Sequence, residues 1–338
     1  MAVETVCVIG SASFLASWLV KLLLSKGYKV HGTVRNPDDE KNSHLKKLEG
    51  ASENLKLFKA DVLDYGSLAA AIKGCVGVFH AASPVPSDAS PLPGVKAADP
   101  QKEVVEPTVT GTLNVLKACF EARVKRVVYV SSMASVLYNP TWPSDKAVDE
   151  DCWSDADFCR DVLQNWYCVS KTIAEVEAVK LAEKNGLDVV TLNPVVVIGP
   201  MLQSNVNTSS LFLISFIKEG FEVMENQVLW YVDVRDVAEA LLLLYTKPEA
   251  KGRYICSSHA IKSRDFKEKL KAMYPHYNYP KNAVYYGKTM YKGFIDVERE
   301  AKISSEKLKS LGWTHRSLEE SIVDSIEFYE GADLLKKD

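Results

Sequence analysis

The feature that most constrains this chain is an alternation that begins within its first ten residues. Thr5–Ile9 (T-V-C-V-I) is a β-rich run closed by Gly10, and it is followed by Phe14–Lys26, apolar on nearly every side and stopped by Gly27. A helix without a polar face has to be buried, and a strand feeding such a helix through a glycine turn opens a nucleotide-binding βαβ unit. The alternation continues. Further strands are expected at Lys29–Val34, Leu55–Lys59, Val76–His80, Arg126–Val130 and Val189–Ile198, with helical stretches such as Tyr65–Lys73 and Val104–Glu121 between them. Strands spaced by helices pair in parallel through right-handed crossovers. The expected fold is therefore α/β, a doubly wound parallel sheet of the Rossmann kind, with its ligand at the carboxyl ends of the strands.

The loop after the first strand departs from the glycine-rich pattern. Gly-x-x-Gly-x-x-Gly is written here as Gly10-Ser11-Ala12-Ser13-Phe14-Leu15-Ala16, so only Gly10 is kept. Gly10 can make the tight turn and Ala16 is a mild change, whereas Ser13 puts a Cβ where backbone should approach a pyrophosphate. Two readings compete: a weakened cofactor site, or a serine hydroxyl that bonds a phosphate oxygen in place of the lost backbone contact. Retained binding is favoured, because the helix N-terminus attracts phosphate without those glycines. The end of the second strand selects the dinucleotide. Arg35 in G-T-V-R-N-P, with Lys41 following, suits the 2′-phosphate of NADP, where an NAD site usually carries an acid. The bland alternative is solvated surface charge, partly offset by Asp38, Asp39 and Glu40. Asp61, after the third strand, is placed either to bond the adenine amino group or simply to be an acid at a helix N-terminus.

Asn165–Lys171 reads N-W-Y-C-V-S-K and puts Tyr167 and Lys171 four residues apart at the start of a stretch with helical apolar spacing. Residues i and i+4 share a helix face. A phenol beside a permanent ammonium is a candidate general acid for a carbonyl oxygen, since the positive charge lowers a phenol pKa. Tyr-x-x-x-Lys alone is a weak signal, and it recurs at Tyr277–Lys281, where Pro280 denies a regular helix. Paired serines end the fifth strand in V-V-Y-V-S-S at 127–132. A hydroxyl there would share the developing oxyanion with Tyr167, although serines at strand ends also simply make turns.

Composition excludes other classes. A net charge of −3 gives no basic surface for nucleic acid or anionic lipid, and the longest apolar stretch, Phe14–Leu24, is too short for a membrane span and interrupted by Lys21. The N-terminus runs straight into a strand, with no targeting segment expected. Seven scattered cysteines without a C-x-x-C pair suit a reducing, cytosolic compartment, and six dispersed histidines give no metal-site spacing. Cys159 and Cys168 bracket Tyr167, so a redox pair there is one reading and two buried thiols the commoner one.

Several ordered motifs then point to a family: S-W-L-V-K-L-L-L at 17–24, G-T-V-R-N-P at 32–37, V-F-H-A-A-S-P at 78–84, D-E-D-C-W-S-D at 149–155, N-W-Y-C-V-S-K at 165–171, N-P-V-V-V-I-G-P at 193–200, D-V-R-D-V-A-E-A at 233–240 and G-R-Y-I-C-S-S at 252–258. The chain resembles the plant extended short-chain dehydrogenase/reductases of the cinnamoyl-CoA reductase, cinnamyl-alcohol dehydrogenase-like and dihydroflavonol 4-reductase group, nearly end to end. The resemblance implies Ser132, Tyr167 and Lys171 as the catalytic residues, Ser132 aligning where Ser131 falls one place early. It implies NADPH held by the Gly10, Ser13, Phe14 and Leu15 turn, by Arg35 and Lys41 at the 2′-phosphate, and by Asp61 and Val62 at the adenine. Ala81, Ala82 and Ser83 would form the backbone rim, Pro194, Val195, Val196 and Val197 the nicotinamide side, and Ser209 a diphosphate contact, with Lys171 on the nicotinamide ribose. It further implies a nucleotide domain of 1–200 plus 229–258 and a smaller, discontinuous substrate lobe of 201–228 plus 259–338. In that lobe Leu211, Phe212, Phe216, Phe221, Tyr285, Tyr286 and Tyr291, with Trp230 just outside its boundary, suit a planar phenylpropanoid, though most would be ordinary core. The expected activity is reduction of a cinnamoyl-CoA thioester or a cinnamaldehyde-like aldehyde by a monomer or weak homodimer. A dihydroflavonol-type ketone reductase and a non-catalytic ligand-binding relative are the alternatives. Ile303–Leu311 and Leu318–Tyr329 are expected as closing helices.

Overall fold

The computed structural model of the chain describes residues 3–82, 98–218, 223–277, 279, 293–296 and 301–335. The seven strands of the main sheet are β1 (Thr5–Ile9), β2 (Lys29–Val34), β3 (Leu55–Lys59), β4 (Gly77–His80), β5 (Arg126–Val130), β6 (Val189–Pro194) and β10 (Gly252–Cys256), in the spatial order β10-β6-β5-β4-β1-β2-β3. Every pairing in it is parallel, with Val8 opposite Gly32 on one side and Phe79 on the other. The order reverses between β1 and β4. That is the switch point at which a doubly wound sheet opens a crevice.

The inner strands bury both faces, and β1 shows how. Val6 and Val8 point into a core shared with α1 (Phe14–Ser25) and α6 (Val234–Thr246), while Cys7 and Ile9 point into a second core. That second core is built by α2 (Tyr65–Ile72), α3 (Glu106–Glu121) and α4 (Trp166–Asn185). Alternation with period two is thus buried on both sides, as a sheet covered by helices requires. Leu19, Val20 and Leu23 of α1 are fully buried, each worth about 2 kcal/mol relative to exposure.

Two further sheets lie beyond it. β7 (Val196–Ile198), β9 (Val228–Asp233) and β11 (His259–Lys262) form one in the order β11-β9-β7, and β8 (Val223–Asn226) pairs in parallel with β12 (Gly293–Asp296). A third core gathers Ile198, Leu213, Phe216, Tyr231, Phe266 and Ile322 from this region, with α5 (Thr208–Ile217), α7 (Ser263–Met273) and α8 (Leu318–Gly331) around it.

Two expectations are corrected here. Val189–Ile198 is two strands in two sheets, because Pro194 has no N–H with which to extend the main ladder and the chain leaves it at Val195. The helix expected over Ile303–Leu311 shrinks to Glu306–Ser310, because Ile303 is used in a β-bridge with Val148. Phe216, left open above between pocket and core, is core, and the Phe14 side chain is core too. Phe221, Tyr285, Tyr286 and Tyr291 lie outside the described residues. Among the described residues no helix is long and apolar enough to cross a membrane.

Candidate active site

The switch point carries the loop that was in doubt. Gly10 has φ +80, and a Cβ there would stand 2.9 Å from Ala82 Cβ, so glycine is required on both counts. Ser13 is different: it is exposed at φ −76, ψ 162, a conformation open to any L-residue, so its backbone does not require glycine. Its hydroxyl caps nothing, and the first turn of α1 carries no acidic side chain. The loop is pinned instead by Ser11, whose N–H and hydroxyl both donate to Thr33 O at 3.0 Å, and by Gly10 N–H donating to Thr33 Oγ1 at 2.9 Å. A helix N-terminus left open in this way fits a diphosphate. The residues present therefore suit a dinucleotide. Leu15 is half-buried at the start of α1, and Ala81 N–H donates to Ile9 O at 3.2 Å. Ser83 lies outside the described residues.

Of the two cations at the end of β2, Lys41 is paired with Asp39 at 2.6 Å, and that pairing holds the Asp39 carboxyl below its ordinary pKa. Arg35 is exposed, and no ion pair engages it among the described residues. Asp61 accepts from Leu63 N–H at 2.9 Å, while Asp64, not Asp61, caps α2 through Gly66 and Ser67 N–H. Val62 O accepts from Asn114 Nδ2 at 3.0 Å. Pro194 and Val195 are buried, Val196 and Val197 half-buried, and the Ser209 hydroxyl in the first turn of α5 accepts from Asn207 Nδ2 at 2.8 Å.

Helix α4 begins where its cap dictates: Asn165 Oδ1 accepts from Cys168 N–H at 3.1 Å, and Gly186 in the left-handed region ends it. Tyr167 and Lys171 come one above the other, with Lys171 Nζ 5.9 Å from the phenol ring centroid. The strand-end serines separate cleanly. Ser131 is buried and donates to Glu175 Oε2 at 2.5 Å, whereas Ser132 is half-buried, accepts Ala134 N–H at 3.1 Å and lies against the Tyr167 phenol. The structure thus brings Ser132, Tyr167 and Lys171 together.

The charge states differ from the simple expectation. Burial raises the Tyr167 phenol above its ordinary value, with Ser132 opposing, so the adjacent lysine does not win. Lys171 is itself buried, which takes its ammonium down to about 8 against the pull of Glu175. Behind them His80 is held neutral, pushed down to about 3 by burial and then by the Lys171 charge. His80 stacks on Tyr129 with ring centroids 5.2 Å apart.

A buried polar network that the sequence did not reveal lies under these residues. Glu175 Oε2 accepts from Ser131, Ser135 and Asn193 Nδ2, and its Oε1 accepts from Arg253 Nε at 2.6 Å. Arg253 also donates to the carbonyls of Glu150, Cys152 and Ser135 and stacks on Trp153 at 3.6 Å. Cys159 and Cys168 are free, buried and in thiol contact, and that contact, followed by burial, pushes the Cys168 thiol up. The second Tyr-x-x-x-Lys resolves as structural at its tyrosine: Tyr277 donates to Glu330 at 2.5 Å, and Lys281 lies outside the described residues.

Nucleotide-dependent oxidoreductases of the extended short-chain dehydrogenase/reductase class are built in this way, and this chain is one of them. More narrowly, the model of the NAD dependent epimerase/dehydratase family matches residues 6–256, and the chain belongs to that family. It is 45% identical to cinnamoyl-CoA reductase 1 of Petunia hybrida, over 96% of this chain and 91% of the relative. Its structure is similar to vestitone reductase from alfalfa (Medicago sativa), with TM-score 0.79, 33% identity and coverage of 98% and 99% of the two chains. It is also similar to a yeast methylglyoxal/isovaleraldehyde reductase solved with NADPH, with TM-score 0.78, 26% identity and coverage of 98% and 100%.

Proposed function

We propose that this chain is an NADPH-dependent reductase of a phenylpropanoid carbonyl, either a cinnamoyl-CoA thioester or a cinnamaldehyde-like aldehyde. The observation that carries the reading is the convergence of Ser132, Tyr167 and Lys171 at the carboxyl end of β5, beside the switch point. The 45% identity to a cinnamoyl-CoA reductase supports the substrate class. NADPH is favoured by exposed Arg35 at the end of β2, and by the NADPH complex of the yeast reductase. Gly10 and the open first turn of α1 would hold its diphosphate, and Lys171 its nicotinamide ribose.

The dinucleotide supplies the hydride that reaches the carbonyl carbon. The protein supplies the proton and the electrostatics. Tyr167, kept protonated by burial, donates from its hydroxyl to the carbonyl oxygen, and Ser132 donates to the same oxygen as charge develops there. The Lys171 ammonium stabilises the phenolate left behind. For a thioester the product of this step is a hemithioacetal, which releases the thiol to leave an aldehyde. Seven free, buried cysteines support a reducing, cytosolic setting. A bulkier ketone substrate is the second reading, favoured by the likeness to vestitone reductase.

The test is calorimetry with NADPH and NADH on this chain and on Ser13→Gly, followed by a panel of cinnamoyl-CoA esters, cinnamaldehydes and dihydroflavonols. Micromolar NADPH affinity, weaker NADH and turnover of the first two groups are expected. Turnover of dihydroflavonols alone would select the ketone reading, and absence of both binding and turnover would remove the enzyme reading.

A further inference from the structure

Beneath the Tyr167–Lys171 pair lies a full negative charge that the reaction above does not use. Glu175 is wholly buried on α4, one turn beyond Lys171 and two beyond Tyr167. Its carboxylate is met from three strand ends: Ser131 and Ser135 after β5, Asn193 on β6 at 2.8 Å, and Arg253 on β10 at 2.6 Å. The same groups reach the Ser132 backbone: Asn193 Nδ2 donates to Ser132 O at 3.2 Å, and the Ser135 hydroxyl, 2.7 Å from that carbonyl, shares its one proton between it and the carboxylate. Glu175 is thus the common acceptor of a network that fixes Ser132 on one side while standing over Lys171 on the other.

A buried ion pair is seldom more stabilising than apolar residues of the same volume, because both charges lose their hydration. Glu175–Arg253 therefore gains little from folding alone. We propose that Glu175 is a positioning residue for reduction: its carboxylate keeps Lys171 charged in a dry site and fixes Ser132 against Tyr167 through Ser131, Ser135 and Asn193. The inference rests on the catalytic reading of Ser132, Tyr167 and Lys171 given above.

The charged and titratable groups around Lys171 support it. His80 faces it from β4 as a neutral ring, Tyr129 from β5 as a phenol pushed up by burial and by Glu175, and Tyr167 and Glu175 from α4 itself. Arg253 reaches Glu175 from β10. Helix α3, the turn at 101–105 and the short helix Ala156–Asp161 bury no charged residue, and their buried thiols, Cys119 and Cys159, lie against Cys75 and Cys168. Among the described residues Glu175 is then the one carboxylate acting on the lysine, and burial is the force against its charge.

The experiment is the pH profile of kcat for NADPH-driven reduction of whichever panel substrate turns over fastest, in wild type, Glu175→Gln, the double variant Glu175→Gln with Arg253→Met, and Tyr167→Phe. Removing the carboxylate makes the first proton leave the coupled Tyr167–Lys171 pair earlier, so the alkaline limb of Glu175→Gln moves to lower pH by about 1 unit. The double variant also loses the opposing guanidinium, and its limb moves the same way by less. It keeps the fold testable if Glu175→Gln alone, with Arg253 buried and unpaired, does not fold. A scaffold without an electrostatic role would lower kcat evenly and leave the limb in place; that result in a folded variant overturns the proposal. If Tyr167→Phe keeps its activity, the catalytic reading itself has failed and the proposal falls with it. If Tyr167→Phe is inactive and the limb stays put, only the role of Glu175 is lost.

Discussion

Burial takes the Lys171 ammonium down to about 8 from an ordinary 10.5, and that displacement is also a statement about stability. Below about pH 8 the lysine is charged in both folded and unfolded chains, and the folded chain carries the whole desolvation cost. Between about 8 and 10.5 the folded chain releases the proton first, the unfolded chain holds more protons, and stability rises with pH. Lys171→Met is therefore expected to stabilise the cofactor-free protein at pH 7 by up to about 3 kcal/mol, an advantage that fades toward pH 10. Denaturant melts at the two pH values check it, and an unchanged midpoint at pH 7 would mean that the ammonium is hydrated in the native state. The phenol behaves differently. Tyr167→Phe removes the proton donor while leaving the ring in place, so kcat should fall by a factor of about 100 to 10,000 with NADPH binding kept. Loss of binding in parallel would show that the tyrosine holds the cofactor instead of serving the carbonyl.

At the scale of the element, the β1–α1 turn joins two positions with opposite requirements. Gly10→Ala places a Cβ 2.9 Å from Ala82 at φ +80, so lost stability of about 1–3 kcal/mol and weakened NADPH binding are expected together. Ser13→Gly meets no such constraint, since Ser13 already sits in ordinary extended geometry, and NADPH affinity should change by less than about threefold. A large gain in affinity for Ser13→Gly would show that its hydroxyl or Cβ obstructs the diphosphate after all. This turn also shows what a sequence discloses. Thr5–Ile9 and Phe14–Ser25 were legible because their signals are local: a short β-rich run, a glycine and a helix apolar all round. The break at Val195 was not, because Val196–Ile198 is as β-rich as the strand before it, and only the partner strand decides which sheet it joins. Tyr167 and Lys171 were legible as i and i+4. Glu175 carries the same spacing from Lys171, but what makes it notable is Arg253, 78 residues away, and no local pattern connects the two.

For the whole molecule, the edge of the sheet opposite the site is held by one side chain. Arg126 opens β5, and its guanidinium gathers chain segments far apart in sequence: Nε pairs with Asp188 at 2.8 Å just before β6, and Nη1 donates to Leu244 O at 3.0 Å and to Lys247 O at the end of α6. Nη2 donates to Pro248 O and Ala250 O, both at 3.3 Å, on the approach to β10. Parallel strands have no hairpins to fix their entry, so a planar fork with five donors does here what turns do in an antiparallel sheet. Arg126→Met would leave several of those carbonyls without their donor, at an expected cost of about 2–4 kcal/mol and a melting temperature several degrees lower. Arg126→Lys keeps the charge but not the fork, and should recover less than half of that loss. Ser132, Tyr167, Lys171 and Gly10 all stand at the carboxyl ends of the strands, so the KM for NADPH measured well below the melting range should stay within about twofold of wild type in both variants. A KM that rose in step with the lost stability would instead couple the two edges of the sheet, and Arg126 would then have to be counted among the groups that shape the site.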